Sequence, residues 1–178
     1  MTDSPLVASS FPTPFGVLTA LVTPEDGVVR SSGFRSMRDT VAALPVRLQA
    51  RGWVEGDLPR VSEAVDAWLA GDGDAITRVP VHQEGGPFFQ ELWAQLRTVP
   101  SGSSVSYQEL AAMAGRPRAM RAAGTACARN NIAPFIPCHR VVKSGGELGS
   151  YGYGGVAMKA AMLALEGERP GDAAGVAS

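Results

Sequence analysis

Two apolar runs near the N-terminus, VLTALV at 17–22 and VVRSSGF at 28–34, flank the sequence Pro24-Glu25-Asp26-Gly27. Strand-type runs on either side of a Gly-ended turn predict a hairpin. From Ser36 to Gln49 the pattern is weakly helical, and Pro45 is placed to kink or end it. Asp57 to Gly71 carries a clearer helical signal. Val61, Val65, Trp68 and Leu69 recur at i, i+4, i+7 and i+8, and Gly71 stands where a C-terminal cap belongs. ITRVPV at 76–81 predicts one more short strand. This half reads as a small α/β unit without a polar constellation, so its expected role is structural.

The pattern changes at Gln83-Glu84-Gly85-Gly86, which reads as a linker. Phe89, Leu92, Trp93 and Leu96 then form one apolar face, predicting a helix over Pro87–Val99 that Pro100-Ser101-Gly102 ends. Ser106, with Glu109 three residues later, is a capping box opening the next helix, whose apolar positions are Leu110, Met113 and Ala114. Gly115-Arg116-Pro117 closes it, and the Ala-rich stretch Arg118–Arg129 is helical again. Two short helices about a Gly-containing turn outline a helix-turn-helix. Small residues between Arg118, Arg121 and Arg129 would let the second helix approach a groove closely.

Composition narrows the classes. The 178 residues contain two cysteines and two histidines. Two cysteines make no disulfide framework, so a reducing cytoplasm and two free thiols are expected. No apolar run approaches the ~20 residues of a membrane span, and MTDSPLVASSFP lacks the basic-then-apolar order of a secretory signal. The net charge of -1 hides an asymmetry. Residues 97–143 hold seven bases (Arg97, Arg116, Arg118, Arg121, Arg129, Arg140, Lys143) against one acid, Glu109. A basic stretch in a slightly acidic chain is the footprint of a polyanion partner.

The chemistry concentrates in PFIPCHRVV at 134–142. Pro134 and Pro137 predict an extended approach to Cys138, and Phe135 and Ile136 predict that it is buried. A buried cysteine is ordinarily inert. Here His139 follows directly and could draw off the thiol proton if a carboxylate orients it. From these residues alone, a nucleophile with its base and a structural pair stand level. Zinc would need four ligands, more than the Cys and His spacing offers. Cys127, in the small-residue helix, reads as core, and the isolated His82 as solvated.

Residues from about Gly86 to Gly167 resemble the C-terminal domain of the O6-alkylguanine-DNA alkyltransferases, the methylated-DNA–protein-cysteine methyltransferases. IPCHRVV matches that family's active-site motif. PFFQELW, SYQELA, GRPRAMRAAG, an Asn eight residues before the Cys, GGELGSYGYGG and LALEG follow in the family's order. Residues 1–85 resemble its variable N-terminal domain in general pattern, without the cysteines for the zinc site that some members carry there. The resemblance implies an α/β (α+β) fold. A small N-terminal α/β domain over 1–85 would precede a mainly helical domain over 86–170 with a winged helix-turn-helix, then a disordered tail over 171–178.

The resemblance also implies roles. Cys138 would accept the alkyl group, His139 would be its general base through a water, and Glu166 would orient the histidine. Asn130 would be the hinge tying the helix-turn-helix to the active-site segment. Tyr107 would crowd the target phosphate and donate to the flipped base, and Arg121 would fill the space that base leaves. The carbonyls of Cys138 and Val141 would accept the guanine amine, and the Tyr153 backbone N–H would face the guanine oxygen. Arg118, Ala119 and Ala122 would line the DNA contact in the minor groove. The implied activity is single-turnover removal of alkyl groups from O6 of guanine, and from O4 of thymine, in duplex DNA. No cofactor and no metal are implied, and the protein is expected as a cytoplasmic, nucleoid-associated monomer. The competing readings are a non-catalytic alkyltransferase-like binder, a winged-helix regulator and a cysteine hydrolase. Only the transferase accounts for the cysteine and the basic helices together.

Overall fold

The computed structural model describes residues 3–167. The tail expected over 171–178 lies outside them. Four strands build one sheet: β1 (Leu6–Thr13), β2 (Gly16–Thr23), β3 (Val28–Gly33) and β4 (Trp53–Glu55), in the order β3-β2-β1-β4. The predicted hairpin is β2–β3. Asp26 closes its turn by accepting from the Val28 amide at 3.1 Å, and Gly27 takes the positive φ that the reversal requires. β1, which the pattern did not reveal, pairs antiparallel with β2 from Val7↔Val22 to Thr13↔Gly16. Ser9, Ser10 and Pro12 dilute its apolar signal, and only its first half is buried. β4 consists of three exposed residues and joins β1 in parallel.

The strand expected at 76–81 does not form. Ala75–Arg78 is a 3-10 turn, and Val81 makes only an isolated bridge to Val29. The Asp74 carbonyl accepts from both the amide and the hydroxyl of Thr77, at 3.1 and 2.9 Å, which holds the tight turn. Pro80 then offers no N–H for a ladder.

The helices follow the periodicity more closely. Pro45 separates α1 (Met37–Ala42) from α2 (Val46–Gln49). α3 (Pro59–Leu69) starts on a proline and buries Val61, Val65 and Trp68. α4 (Pro87–Leu96) precedes a short strand, β5 (Val105–Ser106), and then α5 (Tyr107–Met113) and α6 (Met120–Ala128) form the helix-turn-helix. The Ser106 hydroxyl caps α5 by accepting from the Glu109 amide at 3.0 Å. α6 begins two residues later than the pattern suggests, so Arg118 sits in the turn rather than on the helix. β6 (Val141–Val142) pairs in parallel with β5, and α7 (Gly155–Leu165) closes the described chain. No helix among the described residues is long and apolar enough to cross a membrane.

One buried cluster runs through both halves. It joins Leu18 and Val29 of the sheet, Trp68 of α3, Trp93 of α4, Ala123 of α6, Phe135 and Met162 of α7. Two further bonds tie the sheet to the segment before Cys138: the Ser32 amide donates to the Asn131 carbonyl and its hydroxyl to the Ala133 carbonyl, both at 2.8 Å. The site is therefore backed by β3 as well as by the helices.

Candidate active site

The chain approaches Cys138 through a turn. The Ile136 amide donates to the Ile132 carbonyl and the Cys138 amide to the Ile136 carbonyl, both at 2.9 Å. The extended approach expected from Pro134 and Pro137 is thus corrected, because these amides find acceptors inside the segment and fold it back. Asn130, at the end of α6, staples the turn shut. Its Oδ1 accepts from the Ile132 amide at 2.9 Å, and its Nδ2 donates to the Ile136 carbonyl at 2.8 Å and to Cys138 Sγ at 3.1 Å. Phe135 and Ile136 are buried, as expected, and Cys138 opens a 3-10 turn with only 6% of its surface exposed.

Behind the thiol lies a buried ionic group. His139 Nε2 and Glu166 Oε1 are 2.9 Å apart, with both side chains fully enclosed. Glu166 also accepts from Arg140 Nε at 3.0 Å, Arg140 Nη2 at 2.6 Å and Trp68 Nε1 at 3.0 Å. Burial alone would raise the Glu166 pKa, but His139 and Arg140 together hold it down to about 2. An ionised carboxylate only accepts, so Nε2 donates to Glu166, and in the neutral imidazole Nδ1 is the acceptor. Nδ1 has no partner within the protein. Arg140 is itself enclosed, and its remaining donors reach the carbonyls of Val99 and Gly73 at 2.8 Å each.

Cys138 forms part of the wall of a cavity of about 220 Å³, together with Tyr107, Gly124, Cys127, Ser150, Tyr151 and Tyr153. Burial pushes the Cys138 thiol up, while the Asn130 hydrogen bond and the Lys159 charge pull it down. Lys159, fully enclosed on α7, has burial lowering its own pKa and donates to the Ser150 carbonyl at 3.4 Å. Burial also raises Tyr107, to about 12, and the Cys127 thiol. Cys127 is thus not simply core: it is half-buried and faces the same space as Cys138.

The mouth of this cavity leads to a shallower hollow lined by Tyr107, Met120, Arg121, Gly124, Lys143 and Ser150. Arg121 and Arg118 are exposed, Ala119 and Ala122 half-buried, and Val141 buried in β6. The Tyr153 side chain turns from the mouth toward β3. Its hydroxyl donates to the Asn130 carbonyl, and Arg35 lies over its ring at 5.2 Å. A Cβ on Gly33 would lie 2.8 Å from Tyr153 Cδ1, so only glycine admits this packing.

The structure revises the basic footprint. Arg140 is interior, and Arg97 is spent on the carbonyls of Phe135 (3.1 Å) and Thr77 (2.6 Å). Arg116 and Arg129 lie over Phe88 and Phe89 of α4. Of the seven bases, Arg116, Arg118, Arg121, Arg129 and Lys143 are at the surface. His82 is exposed, and no group of three or more His, Cys, Asp or Glu among the described residues is placed to hold a metal.

Four residues of this site escaped the pattern. Trp68 registered only as an apolar helix position, and Arg140 only as part of a basic stretch. Lys159 did leave a signal: it is the single charge in GVAMKAAMLAL. Tyr151 left none.

Residues 87–168 match the family described as 6-O-methylguanine DNA methyltransferase, DNA binding domain. The chain is 46% identical over 95 residues to the Escherichia coli bifunctional transcriptional activator/DNA repair enzyme Ada, covering 53% of this chain and 27% of that one. It thus spans about a quarter of Ada's length. It is 32% identical over 154 residues to the constitutive methylated-DNA–protein-cysteine methyltransferase of Bacillus subtilis, covering 86% of this chain and 91% of the other. Among solved structures, Mycobacterium tuberculosis OGT in complex with DNA is similar with a TM-score of 0.71 and 30% identity, covering 93% of this chain and 96% of that one.

Proposed function

Because this chain belongs to the methylated-DNA–protein-cysteine methyltransferase family, we propose that it repairs alkylated duplex DNA by direct transfer of the alkyl group to Cys138. The substrates are guanine alkylated at O6 and thymine alkylated at O4. The observation that carries this reading is the thiol itself. Cys138 Sγ faces a cavity, takes a hydrogen bond from Asn130, and has the His139–Glu166 pair behind it.

The helix-turn-helix enters the minor groove with Arg118, Ala119 and Ala122 against the backbone. The alkylated base lies inside the stack, so it must swing out before sulfur can reach it. Arg121, exposed at the start of α6 and beside the mouth, fills the space left behind, while Tyr107 crowds the flipped nucleotide's phosphate. In the cavity the carbonyls of Cys138 and Val141 accept from the guanine amine, and the Tyr153 N–H donates to the guanine oxygen. A water passes the Cys138 proton to His139 Nδ1, the nitrogen left free when Nε2 donates to Glu166. The thiolate attacks the alkyl carbon. A sulfur–carbon bond forms, the oxygen–carbon bond breaks, and guanine leaves with that electron pair, taking up a proton from Tyr107. A thioether offers water no leaving group it can displace, so Cys138 stays alkylated and each molecule acts once, as a cytoplasmic, nucleoid-bound monomer.

The test is the mass of the intact protein after incubation with a short duplex carrying one O6-methylguanine. One methyl group should appear, on Cys138. An unchanged mass, with the duplex nonetheless bound, would make the protein a damage binder.

A further inference from the structure

Tyr151, in the loop between β6 and α7, is 6% exposed, and its ring sits in the main core 5.6 Å from the ring of Tyr153. Its hydroxyl is closed off from solvent and has no hydrogen-bond partner. His139 Nδ1 is in the same condition. Both lie next to the nucleophile: Tyr151 lines the Cys138 cavity, and His139 is the next residue along the chain. A buried donor without an acceptor weakens a fold, and phenylalanine would fill the same space without that penalty. Packing therefore does not account for the hydroxyl.

We infer that the Tyr151 hydroxyl is a hydrogen-bond donor for the sulfur of Cys138 in its ionised form. At rest the phenol oxygen is not in hydrogen-bonding geometry with the sulfur, which takes the Asn130 amide instead, so the hydroxyl is left unpartnered. As the proton moves from Sγ toward His139, charge gathers on the sulfur, and the side chain shifts within the cavity the two residues share to bring the O–H to it. An interaction made only as charge develops lowers the barrier without stabilising the resting state. The surrounding groups leave this place open. Asn130 already donates to Sγ, and the Tyr153 hydroxyl, under Arg35, is committed to the Asn130 carbonyl. Lys159 reaches the Ser150 carbonyl, Glu166 engages His139 and Arg140, and Tyr107 and Cys127 stand on the α5 and α6 sides of the cavity.

This inference rests on Cys138 being the acceptor, and Tyr151→Phe in the full chain tests it. Three readings are taken: the pH midpoint for labelling of Cys138 by iodoacetamide, located by peptide mass; the single-turnover transfer rate at neutral pH; and the melting temperature. A lost hydrogen bond to a charged sulfur should raise the labelling midpoint by roughly one to two pH units and slow transfer by roughly ten- to a hundredfold. The melting temperature should stay level or rise. An unchanged midpoint and rate would overturn the inference and leave Tyr151 as packing. A variant that melts lower or fails to fold would overturn it too, since the hydroxyl would then be supporting the structure. If the wild-type protein labels at Cys138 but transfers no methyl, the proposed function fails while the labelling comparison still decides the role of Tyr151.

Discussion

Glu166→Gln replaces an acceptor-only carboxylate with an amide whose NH₂ must face two of four donors. At present Oε1 receives His139 Nε2 and Arg140 Nε, and Oε2 receives Arg140 Nη2 and Trp68 Nε1, at 2.6–3.0 Å. The substitution leaves Arg140 a buried cation whose remaining carboxylate, on Asp74, is 3.5 Å away. Removing one partner of a buried pair typically costs about 3–5 kcal/mol. The depression of the Glu166 pKa from 4.5 to about 2 leads to a similar figure, about 3 kcal/mol at 1.36 kcal/mol per pH unit. For a chain of this size that corresponds to a melting temperature lower by about 6–12 °C. Because the folded-state pKa is depressed, the stabilisation is complete above pH 4.5 and is lost as pH falls toward 2.

The resemblance implies only that Glu166 orients His139, so that its loss slows transfer. The structure adds a loss of stability, because the same carboxylate holds Trp68 of α3 and Arg140. Melting curves of wild type and variant between pH 7 and pH 2, with single-turnover rates measured where both are folded, test this. The rate should fall on the order of a hundredfold through loss of the base that Glu166 orients. The stability gap should close as the pH drops below 4.5. A melting temperature within a degree or two of wild type at pH 7 would show that the four bonds to Glu166 contribute little to the fold.

Cys138→Ala should abolish transfer while leaving binding to alkylated duplex nearly intact; alkyl mass appearing on Cys127 instead would move the nucleophile. Arg121→Ala should slow reaction with alkylated duplex far more than with free O6-alkylguanine, which needs no flipping, and equal losses on both would return Arg121 to a structural role. Arg118→Ala should lower the salt dependence of DNA binding by about one ion, and an unchanged slope would remove it from the phosphate contacts. Gly33→Ala should force Tyr153 off β3, lowering stability by about 1–3 kcal/mol and slowing transfer; wild-type melting and rate would show that the loop yields freely.

The parts legible in the sequence are those with a local cause. α3 and α4 announce themselves by apolar spacing and a starting proline, α5 by Ser106 and Glu109, and the candidate site by four consecutive residues, Pro137 to Arg140. Periodicity misplaced a strand at 76–81 because it registers apolar content but not the Asp74 carbonyl that winds the chain into a turn. β4 left no pattern at all, since three exposed residues have no buried face to encode.

Local order along the chain thus determined the helix-turn-helix, the position of the thiol and the residue beside it. Tertiary structure decided what surrounds the thiol. Trp68 and Glu166 are 98 positions apart and meet only once the core closes over both. Arg140 and Arg97 count as surface charge in any linear reading, yet Arg97 goes to backbone carbonyls, and Arg140 to carbonyls and the Glu166 carboxylate, that folding brings together. Lys159, Tyr151 and Cys127 come from three separate segments and converge on Cys138. The physical reason is reach. Caps, turns and helical faces are set by neighbours within about four residues, whereas burial, ion pairing and the acidity of a thiol depend on every group packed around them, whatever its place in the chain.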